Sequence, residues 1–487
     1  MRRHQVAGIP AALLLFALTA CTGTSGSESG TAQDMGAAAP PPPDETYGAN
    51  EPVSPADDPQ STFAVDVDTA SYDYARRSLE DGVLPPADQI RPEEFVNYFD
   101  QGYAEPEGNG FAVSVDGTEL PDWYDAGDAT HVMRVGLQTQ SASDEGRADV
   151  NLTFVIDVSG SMEGDRIALV RDSLDLLVSQ LRPTDSVAIV TYESESEVLL
   201  GMTDVGDGET LRAAIDDLYA RGSTNMEAGL RDGYEIAGEV FDPEKDNRVI
   251  LLSDGEANVG ITEHDAMLEA LGEEIAEGIT LLTVGVGDSY NQELLEQLAD
   301  NGDGWAVYFA TETEAERVFS ERLTSTLGVA ARDAKIQVTF DPEYVVEYRL
   351  IGFENRAIED EEFEDDTVDG GEVGPGHSVT ALYALTLPMR DVAGDAAVVD
   401  VRWEDPETEE IGTASVALNT GADLNADADA HLSVDLVAAA FAEVLRGSAG
   451  FDCESLLPAA RELAETSEDP DVEELAELIE MASALGA

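Results

Sequence analysis

Basic residues are scarce in this chain of 487 residues. Lys plus Arg number 25 against 102 Asp plus Glu, which gives a formal net charge of -77, and Lys245 and Lys335 are the only lysines. Such a surface would repel phosphates, so nucleic acid is excluded as a partner. Hydrophobic residues nevertheless make up 43% of the sequence, so the chain can bury cores and the acids must spread over the surface of folded domains.

Cysteine and histidine are also rare, which limits soft metal sites and thiol chemistry. Cys21 and Cys453 are the only cysteines, and if the first carries lipid the second has no partner for a disulfide within the chain. The five histidines show no metal-ligand spacing with one another, and no G-x-S-x-G nucleophile motif occurs. We therefore predict that the protein is not an enzyme.

Long apolar runs are missing beyond the first twenty residues. Arg2 and Arg3 precede an apolar run from Ile9 to Ala20, which is too short to span a bilayer and suits a secretory signal. It ends in Leu18-Thr-Ala-Cys21, the pattern of a bacterial lipobox in which Cys21 carries the lipid; the alternative is an ordinary cleaved signal followed by a chance cysteine. We expect an extracytoplasmic protein that this lipid anchors to the cell membrane. No later run reaches the roughly 18 residues of a spanning helix, which disfavours a channel.

Three short segments, far apart in the chain, carry oxygen ligands suited to one cation. They are Asp157-Val-Ser159-Gly-Ser161, Thr224 within Gly222-Ser-Thr-Asn225, and Asp254 within Ser253-Asp-Gly255. Both aspartates follow an apolar run, where a buried strand would give way to a loop. Hard oxygens favour Mg²⁺, with Mn²⁺ or Ca²⁺ as alternatives, over zinc. The first segment alone would be weak evidence because Ser, Gly and Asp are ordinary turn residues, but the three together predict a shared metal site.

Residues 149–328 alternate between strand-like and helical patterns. The stretch Arg166–Leu181 keeps apolar residues at helical spacing. The strand-like runs are Leu152–Asp157, Ser186–Thr191, Arg248–Ser253, Ile279–Val286 and Trp305–Phe309. Near-continuous apolar strands joined by helices predict an α/β fold with a doubly wound, mainly parallel sheet. Ligands of such sheets bind beyond the carboxyl ends of the strands, where both aspartates fall.

This combination resembles the metal-ion-dependent adhesion site of von Willebrand factor type A domains. The resemblance implies that Asp157, Ser159, Ser161 and Thr224 coordinate one divalent cation directly or through water, with Asp254 mostly holding a water bound to the ion. It also implies that one coordination position stays open. A carboxylate of a partner protein would complete the octahedron, so the ion would be a binding element.

The flanking segments resemble the two outer modules of a family of bacterial lipoproteins with a central von Willebrand factor type A domain. Members of that family are often labelled calcium-activated chloride channel homologues. The segments that carry the resemblance are Thr62–Tyr72, Leu84–Pro86, Arg91–Glu94 and Asn97–Asp100 on the N-terminal side, and Glu347–Arg356, Gly376–Tyr383 and Leu445–Ser448 on the C-terminal side. The resemblance covers nearly everything after residue 60.

Strand-like runs on both sides of the metal domain predict how the parts are arranged. Residues 111–138 hold too few strands for an independent sheet, and further alternating runs follow between 335 and 403. Because the ends of a compact domain lie close together, we predict that the metal domain is inserted in one β-sandwich, with C-terminal helices packed on it; the alternative is three separate domains in a row.

The predicted divisions are a signal peptide (1–20), a disordered tether (21–60), the N-terminal module (61–105), the first strands of the sandwich (106–148), the metal domain (149–328), the rest of the sandwich (329–420) and the helical region (421–487).

The function that these features predict is metal-dependent adhesion or scaffolding. The protein would capture an acidic residue of another extracytoplasmic protein through Mg²⁺. One alternative is an accessory factor in envelope assembly or stress response whose metal site is regulatory. A metal-dependent hydrolase is the other alternative, but no general base of suitable type stands beside the motif.

Replacement of the predicted lipid-bearing cysteine tests the membrane anchor. Cys21→Ser should move the protein from the membrane fraction to the soluble exterior, because nothing else in the chain supplies a membrane affinity. Fractionation and immunoblotting measure this, with Cys453→Ser as the control that should stay in the membrane. Retention of the Cys21 variant after a high-salt wash would contradict the prediction.

Overall fold

The metal domain and its surroundings are described by a computed structural model. It covers residues 49–487 except 125, 142–146, 256–278, 288–290, 301, 303, 322–327, 366, 367, 369, 389–392, 407, 425–427, 449 and 468, and except the side chains of 292, 293, 300, 320 and 321. The predicted signal peptide, Cys21 and residues 21–48 of the predicted tether lie outside the described residues.

The strands and helices follow one another as three groups along the chain. Before the metal domain come β1 (Gln60–Ala64), α1 (Ala70–Glu80), α2 (Pro92–Asn97), β2 (Phe111–Glu119) and β3 (His131–Thr139). The metal domain contains β4 (Val150–Asp157), α3 (Asp165–Gln180), β5 (Ser186–Tyr192), β6 (Ser196–Asp204), α4 (Glu209–Asp216), α5 (Met226–Glu239), β7 (Asp246–Ser253), β8 (Thr280–Val286), α6 (Gln292–Asp300), β9 (Ala306–Phe309) and α7 (Glu312–Glu316). After it come β10 (Ala331–Phe340), β11 (Glu347–Ile351), β12 (Gly371–Val373), β13 (Ser378–Thr386), β14 (Asp395–Glu404), β15 (Ile411–Asn419), α8 (Ala430–Leu445), α9 (Cys453–Thr466) and α10 (Pro470–Leu485).

The metal domain is built on a six-stranded sheet in the order β6-β5-β4-β7-β8-β9. Its strands pair in parallel except β6, which runs antiparallel to β5 at the edge. Alternate residues of β4 point to opposite faces: Phe154 packs in a core with α3 and α4, and Val155 packs in a second core with α5 and α6. The predicted α/β fold is therefore confirmed. Strand β6 was not predicted because none of its residues is buried and its apolar run, Val198–Leu200, is only three residues long.

Two antiparallel sheets form a sandwich beside the metal domain. One has the order β1-β10-β14-β15, with β12 also paired to β10, and the other has the order β11-β13-β3-β2. The two sheets share one core, to which Val135 contributes from β3 and Val399 from β14. The pairing of β3 with β13, with Val135 opposite Ala381, joins segments that precede and follow the metal domain. The insertion is confirmed, and the alternative of three separate domains is wrong.

The N-terminal segment belongs to the sandwich to a greater extent than its sequence suggests. Strand β1 pairs with β10, with Phe63 opposite Ile336, so it extends one sheet instead of belonging to a separate module. Val53 forms a bridge with Tyr348, although it lies within the predicted tether of residues 21–60. The sandwich therefore includes residues that precede the predicted boundary at residue 60. This pairing could not be predicted from the sequence because the segment is short and its partners lie far along the chain.

A helical layer covers the outer face of the sheet that contains β3 and β13. Phe95 of α2 and Phe441 of α8 meet edge to face at 5.9 Å, and both belong to the same buried core as Leu382 and Ala384 of β13. The C-terminal helices therefore pack on the sandwich as predicted. Helix α8 buries even its two acids, since Asp435 pairs with Arg134 and Glu443 with Arg349. Within the described parts of residues 49–487, no helix combines the length and the apolarity that crossing a membrane requires.

Helix α1 and the segment before it attach the metal domain to the rest of the protein. Asp68 Oδ1 accepts a hydrogen bond from the backbone N–H of Ala306 in β9 at 3.2 Å. Arg77 donates to the carbonyl of Gly287 after β8 at 2.9 Å. Arg76 pairs with Glu314 of α7 and with Glu474 of α10. These contacts supplement the two covalent connections of the inserted domain.

An aromatic cluster between the two sheets provides a test of the sandwich. The Phe340 ring stacks on Tyr348 with centroids 4.2 Å apart and meets Tyr383 edge to face at 5.2 Å. Because Phe340 is fully buried, Phe340→Ala should lower the free energy of unfolding by about 3–5 kcal/mol, as measured by urea denaturation. The exposed Val398 serves as the control, and its replacement by Ala should cost less than about 0.5 kcal/mol. Equal losses in the two variants would contradict this packing.

Candidate metal site

The order of the strands creates the site. The chain runs from β4 to β5 on one side, then returns to place β7 on the other side, so the direction of winding switches at β4. Loops leave a crevice at such a point, at the carboxyl ends of the strands. Asp157 ends β4 opposite Tyr192, the last residue of β5, and Asp254 directly follows β7. Both aspartates therefore reach the same edge of the sheet.

Asp157 is fully buried and accepts hydrogen bonds from uncharged donors. Its Oδ1 accepts from the backbone N–H of Ser159 at 2.8 Å, and its Oδ2 accepts from the hydroxyls of Ser253 at 2.9 Å and Tyr192 at 3.3 Å. Burial raises the pKa of Asp157 to about 6, the nearby Asp254 acts in the same direction, and the hydrogen bonds of Ser159 and Ser253 oppose it. The ionised carboxylate is thus costly here, and a bound cation would offset that cost.

The serines and the threonine lie in adjoining loops. The hydroxyl oxygens of Ser159 and Ser161 are 2.9 Å apart. Gly160 donates its backbone N–H to the carbonyl of Gly222 at 3.2 Å, which places the loop of the buried Thr224 against the first loop. Gly222 has φ of 77°, and a Cβ there would lie 1.8 Å from the Glu193 carboxylate, so this turn requires glycine.

Asp254 completes the cluster and is held by an arginine. One Arg166 nitrogen, Nη1, donates to Asp254 Oδ2 at 2.9 Å and to the carbonyl of Ser161 at 3.1 Å. The Asp254 carbonyl accepts from the backbone N–H of Asn291 at 3.1 Å. The structure thus brings the predicted residues Asp157, Ser159, Ser161 and Asp254, and the loop of Thr224, to one place.

Three residues that were not predicted as site residues hold the aspartates of the cluster by hydrogen bonds. Tyr192 and Ser253 end the strands on either side of β4, and both donate to Asp157. Arg166 is the second residue of α3. Strand-end position could have suggested the first two once the strand order was known. Arg166 carries no such signal, because arginine near a helix start is common on protein surfaces.

The donor set suits a hard divalent cation. Two carboxylates and three hydroxyls offer only oxygen, and Mg²⁺ binds through few carboxylates while keeping several waters. Across the parts of the chain that the structure describes, no group of three or more His, Cys, Asp or Glu side chains could hold a metal ion. A site at this edge would therefore depend on hydroxyls and water as well as on the two acids.

Three known protein families match successive parts of this chain. Residues 151–321 match the von Willebrand factor type A domain, residues 44–127 match a segment described as von Willebrand factor, and residues 325–393 match the C-terminal region of "Uncharacterized protein YfbK". YfbK of Escherichia coli is 35% identical over 421 residues, which are 81% of this chain and 72% of that protein. The label of calcium-activated chloride channel homologue is not confirmed by these matches.

Other similar proteins match a smaller share of the chain or match it at lower identity. Inter-alpha-trypsin inhibitor heavy chain H1 of Sus scrofa is 30% identical over 168 residues, 32% of this chain and 19% of that protein. A solved von Willebrand factor type A protein from Catenulispora acidiphila aligns with a TM-score of 0.47 and 16% identity, covering 73% of this chain and 87% of that one.

Single substitutions at the cluster should rank by the charge and contacts that they remove. Asp157→Ala should abolish Mn²⁺ binding, Asp254→Ala should weaken it roughly 10- to 100-fold, and Ser159→Ala should weaken it least. Titration calorimetry measures the affinities. Asp175, which pairs with Arg212 on the surface, provides the matched control, and Asp175→Ala should bind as the wild type does. Equal affinities in wild type and Asp157→Ala would remove the basis of this site.

Proposed function

This chain belongs to the YfbK family of proteins with a von Willebrand factor type A domain, and within that family we propose that it is a metal-dependent protein-binding lipoprotein. Its metal-ion-dependent adhesion site captures a carboxylate of another extracytoplasmic protein. Mg²⁺ is the proposed ion, with Mn²⁺ or Ca²⁺ as substitutes. The lipid on Cys21 anchors the protein to the cell membrane.

The observation that supports this proposal most strongly is the environment of Asp157. The carboxylate is buried beside Asp254, and its hydrogen bonds come from serine and tyrosine hydroxyls and one backbone amide. Two neighbouring acids at a loop edge carry a cost that a divalent cation would relieve. Asp157, Ser159, Ser161 and Thr224 would hold that ion, which supplies a Lewis-acidic position for an oxygen of the partner.

Binding suits this edge better than hydrolysis does. A hydrolase needs, besides its metal ligands, a base placed to activate water. The described side chains that hold the cluster in place are Ser253, Tyr192 and Arg166, which are a neutral hydroxyl, a phenol and a permanent cation. None of these three is a suitable base at neutral pH. We propose that the ion links two proteins and takes no part in bond cleavage.

The acidic surface restricts which partners can approach. With a net charge of -77, the protein repels acidic molecules over about one Debye length, roughly 8–10 Å at physiological salt. Coordination of a carboxylate to a metal acts only at contact. The partner should therefore present one projecting Asp or Glu from a surface that is not itself strongly acidic.

Affinity capture from detergent-solubilised envelope tests the proposal. The wild-type protein should retain one or more envelope proteins in Mg²⁺ and release them in EDTA. Asp157→Ala should retain none of these in either buffer, whereas the control Asp175→Ala should behave as the wild type. If the same proteins are retained equally with chelator and by Asp157→Ala, the metal site does not carry the binding.

A further inference from the structure

Arg166 brings a positive charge to the edge of the metal site. Its guanidinium bridges Asp254 Oδ2 at 2.9 Å and the Ser161 carbonyl at 3.1 Å, so it connects two of the segments from which the site is built. The side chain is 22% exposed, whereas the carboxylate of Asp254 is fully buried. The arginine therefore lies between the buried acids and the solvent from which a ligand would arrive.

The backbone around Arg166 is shaped to keep it in this position. Gly287 follows β8 with φ of 93°, and a Cβ there would lie 2.6 Å from Arg166 Nε. The absence of a side chain at Gly287 thus leaves room for the arginine. The Gly287 carbonyl also accepts a hydrogen bond from Arg77 of α1 at 2.9 Å, which holds Gly287 itself in place. Arg166 is therefore held in place before any ligand arrives.

The charges of the site show what Arg166 changes. Asp157 and Asp254, when ionised, carry as much negative charge as one divalent cation carries positive charge. The Arg166 guanidinium adds one positive charge beside Asp254 at this edge. In a protein with 102 acids and 25 Lys plus Arg, such a local charge is the opposite of its surroundings.

The geometry points to Arg166 as the residue that makes the occupied metal site selective for anionic carboxylate ligands, at the expense of affinity for the metal itself. This inference rests on the proposed function. Arg166 repels the cation and pairs with Asp254, which would otherwise be available to the cation. Both effects weaken metal binding. Once the cation is bound, the same charge attracts a carboxylate. The two effects have opposite signs, which separates Arg166 from a residue that merely stabilises the fold.

The experiment measures both equilibria on the full chain, with Mn²⁺ as the ion and acetate as the probe. Electron paramagnetic resonance of free Mn²⁺ gives the metal affinity. Water proton relaxation of the Mn²⁺-loaded protein gives the acetate affinity, because acetate displaces bound water. Arg166→Gln should bind Mn²⁺ about 3–10-fold more tightly and acetate about 3–10-fold more weakly than the wild type, as expected for one partly exposed charge. Arg166→Lys keeps the charge and should restore acetate affinity to within about twofold.

Two controls distinguish charge at the site from general effects. Arg212→Gln removes the surface arginine that pairs with Asp175. Asp175 lies nine residues after Arg166 on α3, which is about 14 Å along the helix, so this variant should change neither the Mn²⁺ affinity nor the acetate affinity. Acetamide, the neutral analogue of acetate, should bind equally to wild type and to Arg166→Gln. Weaker Mn²⁺ binding together with unchanged acetate binding in Arg166→Gln would overturn the inference and make Arg166 a support for Asp254. Failure of the wild type to bind Mn²⁺ would instead overturn the proposed function, and this inference with it.

Discussion

The pairing of β3 with β13 is the contact on which the arrangement of this protein depends. The two strands meet along eight residue pairs, from His131 opposite Leu385 to Gln138 opposite Ser378. Since one strand precedes the metal domain and the other follows it, their pairing joins parts of one sheet that the inserted domain separates in the sequence. Both strands are buried on each face, by the second sheet on one side and by the helical layer on the other.

Arginines neutralise acidic side chains at the places where helices and strands of this acidic protein meet. Arg76 contacts Asp73, Glu314 and Glu474 at 2.6, 2.9 and 2.8 Å, and thereby joins α1, α7 and α10. Arg134 likewise contacts Asp116, Asp429 and Asp435. Removing one partner of a buried pair such as Arg134 and Asp435 typically costs about 3–5 kcal/mol, because the charge left behind is uncompensated. Arg76 and Arg134 therefore lie where parts of the fold meet, and Arg166 likewise connects two segments of the candidate metal site.

The edge of the sheet at the candidate metal site is linked to the rest of the molecule through a series of side-chain contacts. Arg166 lies against Gly287, whose carbonyl is bound by Arg77 of α1, and α1 is joined through Arg76 to the C-terminal helix α10. The base of the domain has its own link, from Asp68 to the backbone of β9. The domain is therefore held at several points, and any movement of it would have to break or carry these contacts.

The sequence by itself determined the local features of this protein. Apolar runs that end in Asp157 and just before Asp254 identified the strands and the edge of the sheet at which the candidate metal site lies, because parallel strands of a covered sheet are apolar along their whole length. The loop residues Ser159, Ser161 and Thr224 were recognised by their motifs. Alternation of apolar and polar residues likewise indicated β2, β3 and β13, and helical spacing in residues 166–181 indicated α3.

Tertiary structure alone decided which distant residues meet. That β1 pairs with β10, that Val53 reaches Tyr348, and that Tyr192 and Ser253 flank Asp157 all depend on strand order and register. These are non-local quantities that no window of sequence contains. Arg166 illustrates the difference most clearly: in sequence it is an ordinary arginine in the first turn of a helix, and only the crossing of α3 past β7 and β8 places its charge on Asp254.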